Sequence, residues 1–121
     1  MSKIRFVILH NIISPYKTLL FNTLEQVIDG NFKVIYLAET SGIREWKVDK
    51  GELMFPFDVL FEGKIEDMNP NTMAIETYKR LNFYKPEVVV ICGYNYPACW
   101  AACGWAKKNK RKVIAVIESH Y

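Results

Sequence analysis

The chain has 121 residues, half of them hydrophobic and about a quarter charged, which suits a single globular domain and excludes a disordered or fibrous protein. With 16 Lys and Arg against 13 Asp and Glu the net charge is only +3, too small an excess to indicate a nucleic-acid-binding protein. The three cysteines form neither a CxxC pair nor a Cys/His cluster, so a disulfide framework and a zinc site are not expected.

Taken in chain order, the N-terminal MSKIRFVILHN has an apolar run shorter than a signal peptide or a membrane span requires, and a cytoplasmic placement is expected. Its core, Ile4 to Leu9, reads as a first strand. The stretch SPYKTLLFNTLEQVIDG follows, with Ser14 placed to cap a helix, Pro15 at the first helical position and Gly30 just past the end. Tyr16, Leu19, Leu20, Leu24, Val27 and Ile28 fall at helical spacing and are expected to face the sheet. A second apolar strand runs from Phe32 to Ala38. Residues Thr40 to Leu53 lack a sustained period and predict at most a short helix. The weaker run Phe55 to Phe61, interrupted by Pro56, predicts an edge strand.

A further helix is predicted from Asn69-Pro70 to about Tyr84, with Ala74, Tyr78 and Leu81 on its buried face, and it ends in the turn Lys85-Pro86. The strand Glu87 to Cys92 leads into YPACWAACGWAKKN, apolar almost all round, where Cys99, Ala102, Cys103 and Ala106 form a small-residue stripe. Trp46, Trp100 and Trp105 read as packing residues, and the cysteines as small core hydrophobes. The run KKNKRK, Lys107 to Lys112, reads as a solvated helix end favoured by the helix dipole, with a weak attraction to anionic lipid headgroups as its other use. A last strand spans Lys112 to Glu118.

Strands apolar on both faces and separated by helices predict an α/β fold: a Rossmann-like, doubly wound, five-stranded parallel sheet in the order 3-2-1-4-5 with helices on both faces. Ligands in such sheets sit at the carboxyl ends of the strands, where this chain supplies His10, Asn11, Glu39, Gly93, Tyr94 and the segment Glu118 to His120. The turn after the first strand holds no glycine, so it cannot wrap a diphosphate as a dinucleotide or P-loop fingerprint does. The amides opening the helix favour a lighter contact with an anion or a hydroxyl-rich ligand, and a capped helix start without any ligand is the alternative. His10 and His120 each have a structural reading beside the catalytic one.

Four segments in order, SPYKTLLFNTLEQ, SGIREWKVDKGELMFPFDVL with its Arg-x-Trp, KPEVVVICGYNYPACWAA and KVIAVIESHY, resemble the N-terminal half of family-4-type glycosyltransferases with the GT-B fold. Members of that family often open with a strand, a Pro-Tyr-Arg or Pro-Tyr-Lys turn and a Leu-Phe pair, as Pro15, Tyr16, Lys17, Leu20 and Phe21 do here. The resemblance implies the acceptor-side domain, residues 1–121, of a two-domain retaining enzyme of hexosyltransferase type. Such an enzyme takes a nucleotide-sugar as co-substrate, needs no metal or other cofactor, and acts on a glycan or lipid-linked acceptor, in some cases at the inner membrane face. It further implies that a C-terminal donor-binding domain completes the site and that this chain alone is inactive. Many relatives carry glycines in the first turn that touch the donor phosphate, and this chain departs from them there. On this reading His120 is the catalytic candidate, and His10, Asn11, Ser14, Tyr94, Asn95 and Glu118 are substrate-binding candidates. The rival class is a non-enzymatic, flavodoxin-like small-ligand binding domain, although the Ser/Thr/Gly-rich loop of a flavodoxin is missing after the first strand.

Overall fold

A computed structural model describes residues 4–28, 31–39, 50–92 and 96–116, with the side chains of Pro15, Tyr16 and Ile28 outside the description. The elements are β1 (Phe6–Ile12), α1 (Pro15–Ile28), β2 (Phe32–Ala38), β3 (Phe57–Val59), α2 (Pro70–Tyr84), β4 (Val88–Cys92), α3 (Pro97–Lys108) and β5 (Lys112–Val116). Short 3-10 turns at Lys50–Glu52 and Ile65–Asp67 flank β3. All strand pairs are parallel and the order is β3-β2-β1-β4-β5, the doubly wound arrangement expected from the apolar runs. Among the described residues no helix is long and apolar enough to cross a membrane.

Because strand side chains alternate, β1 feeds two cores. Val7 and Leu9 pack with Ile35, Leu37, Val89 and Ile91 beneath α2 and α3. Ile8 turns the other way, with Val34, Tyr36, Phe32 and Phe55, beneath α1. The small residues Ala98, Ala102 and Ala106 are fully covered and let α3 lie close to the sheet, while Trp105 fills the space beside them. Trp100 does not share this role, since the same helical turn points it outward.

The roll of α1 differs from the one its apolar spacing predicts. Leu19 is 69% and Val27 78% exposed, and Leu20 also faces solvent, whereas Thr18 and Phe21 are buried. Two contacts decide this. The Phe21 ring meets Phe55 edge-on at 5.5 Å, inside an aromatic cluster that continues to Phe32. Asn22 bonds the chain twice, its amide nitrogen donating to the Glu52 carbonyl at 2.9 Å and its Oδ1 accepting from the Met54 N–H at 2.7 Å. Thr18 tolerates burial because its hydroxyl donates to the Ser14 carbonyl at 2.8 Å.

In α2 the buried row is Met73, Thr77 and Leu81, one residue away from the expected Ala74 and Tyr78, which are half-buried. The helix begins at Asn69, whose Oδ1 accepts from the amides of Asn71 and Thr72 at 2.8 and 3.2 Å. A single carboxylate ties it to the sheet: Asp58 on β3 receives Arg80 Nη1 at 3.1 Å and the Tyr84 hydroxyl, and lies 3.4 Å from Lys33 Nζ on β2. Burial works against the Lys33 charge, but Tyr84 and Asp58 outweigh it and hold its pKa above the ordinary lysine value.

At β5 the prediction of a strand covered on both faces is not met. All its residues are exposed, including Val113, Ile114 and Val116, and on the α1 side of the sheet Ile114 extends the row Ile8–Val90 toward solvent. The α3 end leading into β5 is a Schellman motif, with Arg111 N–H donating to the Ala106 carbonyl at 2.7 Å and Lys110 N–H to the Lys107 carbonyl at 3.3 Å. Lys110 holds the left-handed position at φ 56°, where a Cβ is unfavourable. Lys110→Gly is therefore expected to raise unfolding stability by about 0.5–1 kcal/mol, read as a higher urea midpoint at unchanged slope.

Candidate functional site

The carboxyl edge of the sheet is knit together beyond the strands themselves. Ile13 N–H donates to the Glu39 carbonyl at 3.3 Å, and Glu39 N–H donates to the Phe61 carbonyl at 3.2 Å, so the segments leaving β1, β2 and β3 stay side by side. This continuity is what gives the residues after β1 a defined position.

His10 lies one row inside that edge and is 9% exposed. Its ring packs edge-on against Phe21 of α1 and Tyr36 of β2, with centroids 6.2 and 6.0 Å away. Nδ1 is 2.9 Å from the Ile12 carbonyl oxygen. A carbonyl only accepts, so Nδ1 carries the proton and donates, which selects the tautomer and braces the end of β1. The sequence expectation set His10 facing the cleft, and the fold instead sets it beneath α1.

Asn11 is half-buried, and its Oδ1 accepts from the Ile12 N–H at 2.9 Å. Its amide nitrogen makes no hydrogen bond among the described residues and remains a donor at the carboxyl edge. Ser14 is also half-buried and stands immediately before α1, where its carbonyl accepts from both the N–H and the hydroxyl of Thr18 at 2.8 Å. Pro15 brings no N–H to this turn. His10 and Asn11 thus lie in the last residues of β1 and Ser14 in the turn that follows, while Tyr94, Asn95, Glu118 and His120 lie outside the described residues.

On the β2 and β3 side the described residues of the edge are mainly acidic. Lys50 Nζ pairs closely with Glu39 and lies 3.9 Å from Glu62. The hydrogen bond to Glu39 raises the Lys50 pKa against a small desolvation cost, so the one cation of this cluster among the described residues is already engaged. Two carboxylates with one neutralised lysine disfavour a phosphate there. A neutral, hydroxyl-rich ligand that uses the Asn11 amide has no such penalty. Among the described residues no group of three or more His, Cys, Asp or Glu side chains is arranged to hold a metal ion.

The sequence reading did not single out Tyr36. Parallel register aligns it with His10, and the α1 side of the same row continues to Cys92 on β4. The Tyr36 hydroxyl is sealed from solvent and makes no hydrogen bond of normal geometry among the described residues; the neighbouring Thr18 hydroxyl donates its proton to the Ser14 carbonyl and could only accept from it. Only the pairing register could have revealed this, because Tyr36 is an ordinary strand residue in FKVIYLA. Of the cysteines, Cys99 is buried as expected, which pushes its thiol pKa up, whereas Cys92 and Cys103 are only half-buried at the margins of the two cores.

Burial, with a smaller contribution from Cys92 and a weak opposing one from Thr18, raises the Tyr36 phenol well above the usual tyrosine range. In the unfolded chain that phenol ionises near pH ~10 while in the folded protein it stays protonated, so its stability contribution is complete below that pH and declines as pH rises further. Tyr36→Phe removes both the orphan hydroxyl and this dependence. The variant is expected to be equally stable or up to about 2 kcal/mol more stable at neutral pH, and to lose less stability than the parent between pH ~9 and ~11, as read by urea unfolding.

Comparison with family models, with curated proteins and with solved structures gives no match for this chain.

Proposed function

We propose that the chain is the N-terminal, acceptor-side domain of a retaining, metal-independent, nucleotide-sugar-dependent glycosyltransferase of the GT-B type. The observation that carries the reading is the combination, at one sheet edge, of a glycine-free β1–α1 turn with a donor amide on Asn11 and an acidic β2–β3 flank. An edge of that character suits the hydroxyls of a sugar better than the phosphates of a nucleotide, which in this reading belong to a second domain. The doubly wound sheet is compatible with it, and so is β5, whose two exposed faces are unusual for a parallel strand and leave apolar surface for further packing. Cytoplasmic placement and a glycan or lipid-linked acceptor are part of the same proposal.

In this assignment Asn11 binds an acceptor hydroxyl, Ser14 lines the same turn, and His10 holds the turn in place from below. His120 remains the proposed catalytic group, with Tyr94, Asn95 and Glu118 as proposed acceptor contacts. Half a cleft cannot hold donor and acceptor at reacting distance, so turnover requires the second domain.

Titration of the 121-residue chain by NMR with a panel of neutral oligosaccharides, a nucleotide-sugar and FMN tests the proposal. Shifts are expected at Asn11 and Ser14 with at least one oligosaccharide, and Asn11→Ala should weaken that binding about 5–10-fold, the worth of one hydrogen bond. Saturable FMN binding without sugar binding would establish the flavodoxin-like alternative. Sugar transfer catalysed by the isolated chain would refute the division of labour proposed here.

A further inference from the structure

The layer made by α2 and α3 turns one face to the sheet, and the composition of its other face is not explained by packing. On α2 the outward residues include Ile75, Lys79 and Phe83, the last 78% exposed. On α3 they are Trp100, 72% exposed, then Gly104, Lys107 and Lys108. The two helices pack against each other and connect consecutive parallel strands, so both run from the carboxyl edge to the amino edge of the sheet. Ile75 and Trp100 therefore lie toward the carboxyl edge, and Phe83 lies toward the amino edge with the lysines.

Charge on this face is one-sided. Lys79 is paired with Glu76 at 3.7 Å, but Lys85, Lys107, Lys108 and Lys110 have no acidic partner among the described residues. Glu66 and Asp67 lie before the start of α2, away from the helix ends that carry these lysines. The helix dipole accounts for cations at a helix end, but not for two aromatic side chains held in water on the same layer. Nor does it account for lysine at both left-handed turn positions, Lys85 at φ 48° and Lys110 at φ 56°, where glycine or asparagine fits the backbone better.

Protein interfaces are depleted in lysine, and single-stranded nucleic acid is held in grooves where cations alternate with stacking rings. Here the surface is the outside of a helix pair, with Trp100 two turns from Lys107 and Lys108. Exposed Trp and Phe beside long-stemmed lysines is the composition that settles at a lipid headgroup layer, the rings entering shallowly and the ammonium groups meeting phosphate. We propose that the outward face of α2 and α3 docks the protein on an anionic membrane surface. This goes beyond the sugar-transfer reading and does not depend on it, and vesicle binding is measured without any sugar donor, so the two fail separately.

The test is co-sedimentation of the 121-residue chain with phosphatidylcholine vesicles, with and without phosphatidylglycerol, alongside a uridine oligonucleotide of matched phosphate concentration. Binding is expected only to the anionic vesicles and is expected to disappear near ~0.5 M salt, where the Debye length is only a few ångströms. Each of Lys107→Gln, Lys108→Gln and Lys110→Gln should weaken it about fivefold, and the three together by well over tenfold. In a Trp46→Phe background, which leaves Trp100 and the buried Trp105 as the two fluorophores, Trp100→Phe should abolish the vesicle-induced quenching of tryptophan fluorescence by lipids brominated near the headgroup. The three lysines and Trp100 are exposed, and unchanged circular dichroism and urea midpoints confirm that a lost signal is not lost folding. No anionic preference, or affinity unchanged in the triple variant, overturns the proposal. Binding to the oligonucleotide without binding to vesicles overturns it in favour of a nucleic-acid surface.

Discussion

The domain depends on β1 being hydrogen-bonded along both edges and packed on both faces. It pairs with β2 on one side and β4 on the other, so its register sets the depth of every neighbouring row. A slip of one residue would exchange Val7 and Leu9 with Ile8 and His10, driving an imidazole into the apolar core under α2 and α3. The hydrophobic run that makes β1 a buried strand is thus also what delivers His10 to the α1 side and Asn11 to the edge.

Under α1 the consequences of that register accumulate. Tyr36, His10 and Cys92 form one transverse row, and Phe21 and Thr18 come down on it from the helix. Filling this space with rings fixes the roll of α1 and leaves Leu19 and Val27 in water, an arrangement that a stripe of aliphatic residues would not have selected. It also leaves the Tyr36 hydroxyl without a hydrogen bond among the described residues, as are Thr77 Oγ1 and Trp105 Nε1 on the opposite side of the sheet.

The two ends of the sheet differ in electrostatic character. At the carboxyl edge Glu39 and Glu62 share Lys50, and the free donor is a neutral amide. At the amino edge the C-termini of α2 and α3 gather Lys85, Lys107, Lys108 and Lys110 without acidic partners among the described residues. The separation follows from topology: parallel crossovers point every helix C-terminus to the same edge, where cations are favoured, and so keep them away from the loops that form the candidate site.

Much of the architecture was legible in the amino-acid order because it rests on local physics. Doubly apolar strand runs predicted a covered parallel sheet, the Asn69-Pro70 and Pro97 boundaries predicted helix starts, and right-handed crossovers left the order β3-β2-β1-β4-β5. The absence of glycine after β1 was equally plain and told against a diphosphate site. Which helical face is buried was decided only in three dimensions: α1 is rolled by Phe21 and by the two bonds of Asn22 to a distant backbone segment, and α2 by the Asp58 cluster. Likewise, the KKNKRK run shows no interleaved aromatic in sequence, yet helical winding puts Trp100 on the exposed face of α3 with Lys107 and Lys108. Periodicity specifies which residues can share a face. Which face the core accepts depends on partners far away in sequence, and those are brought together only when the sheet is assembled.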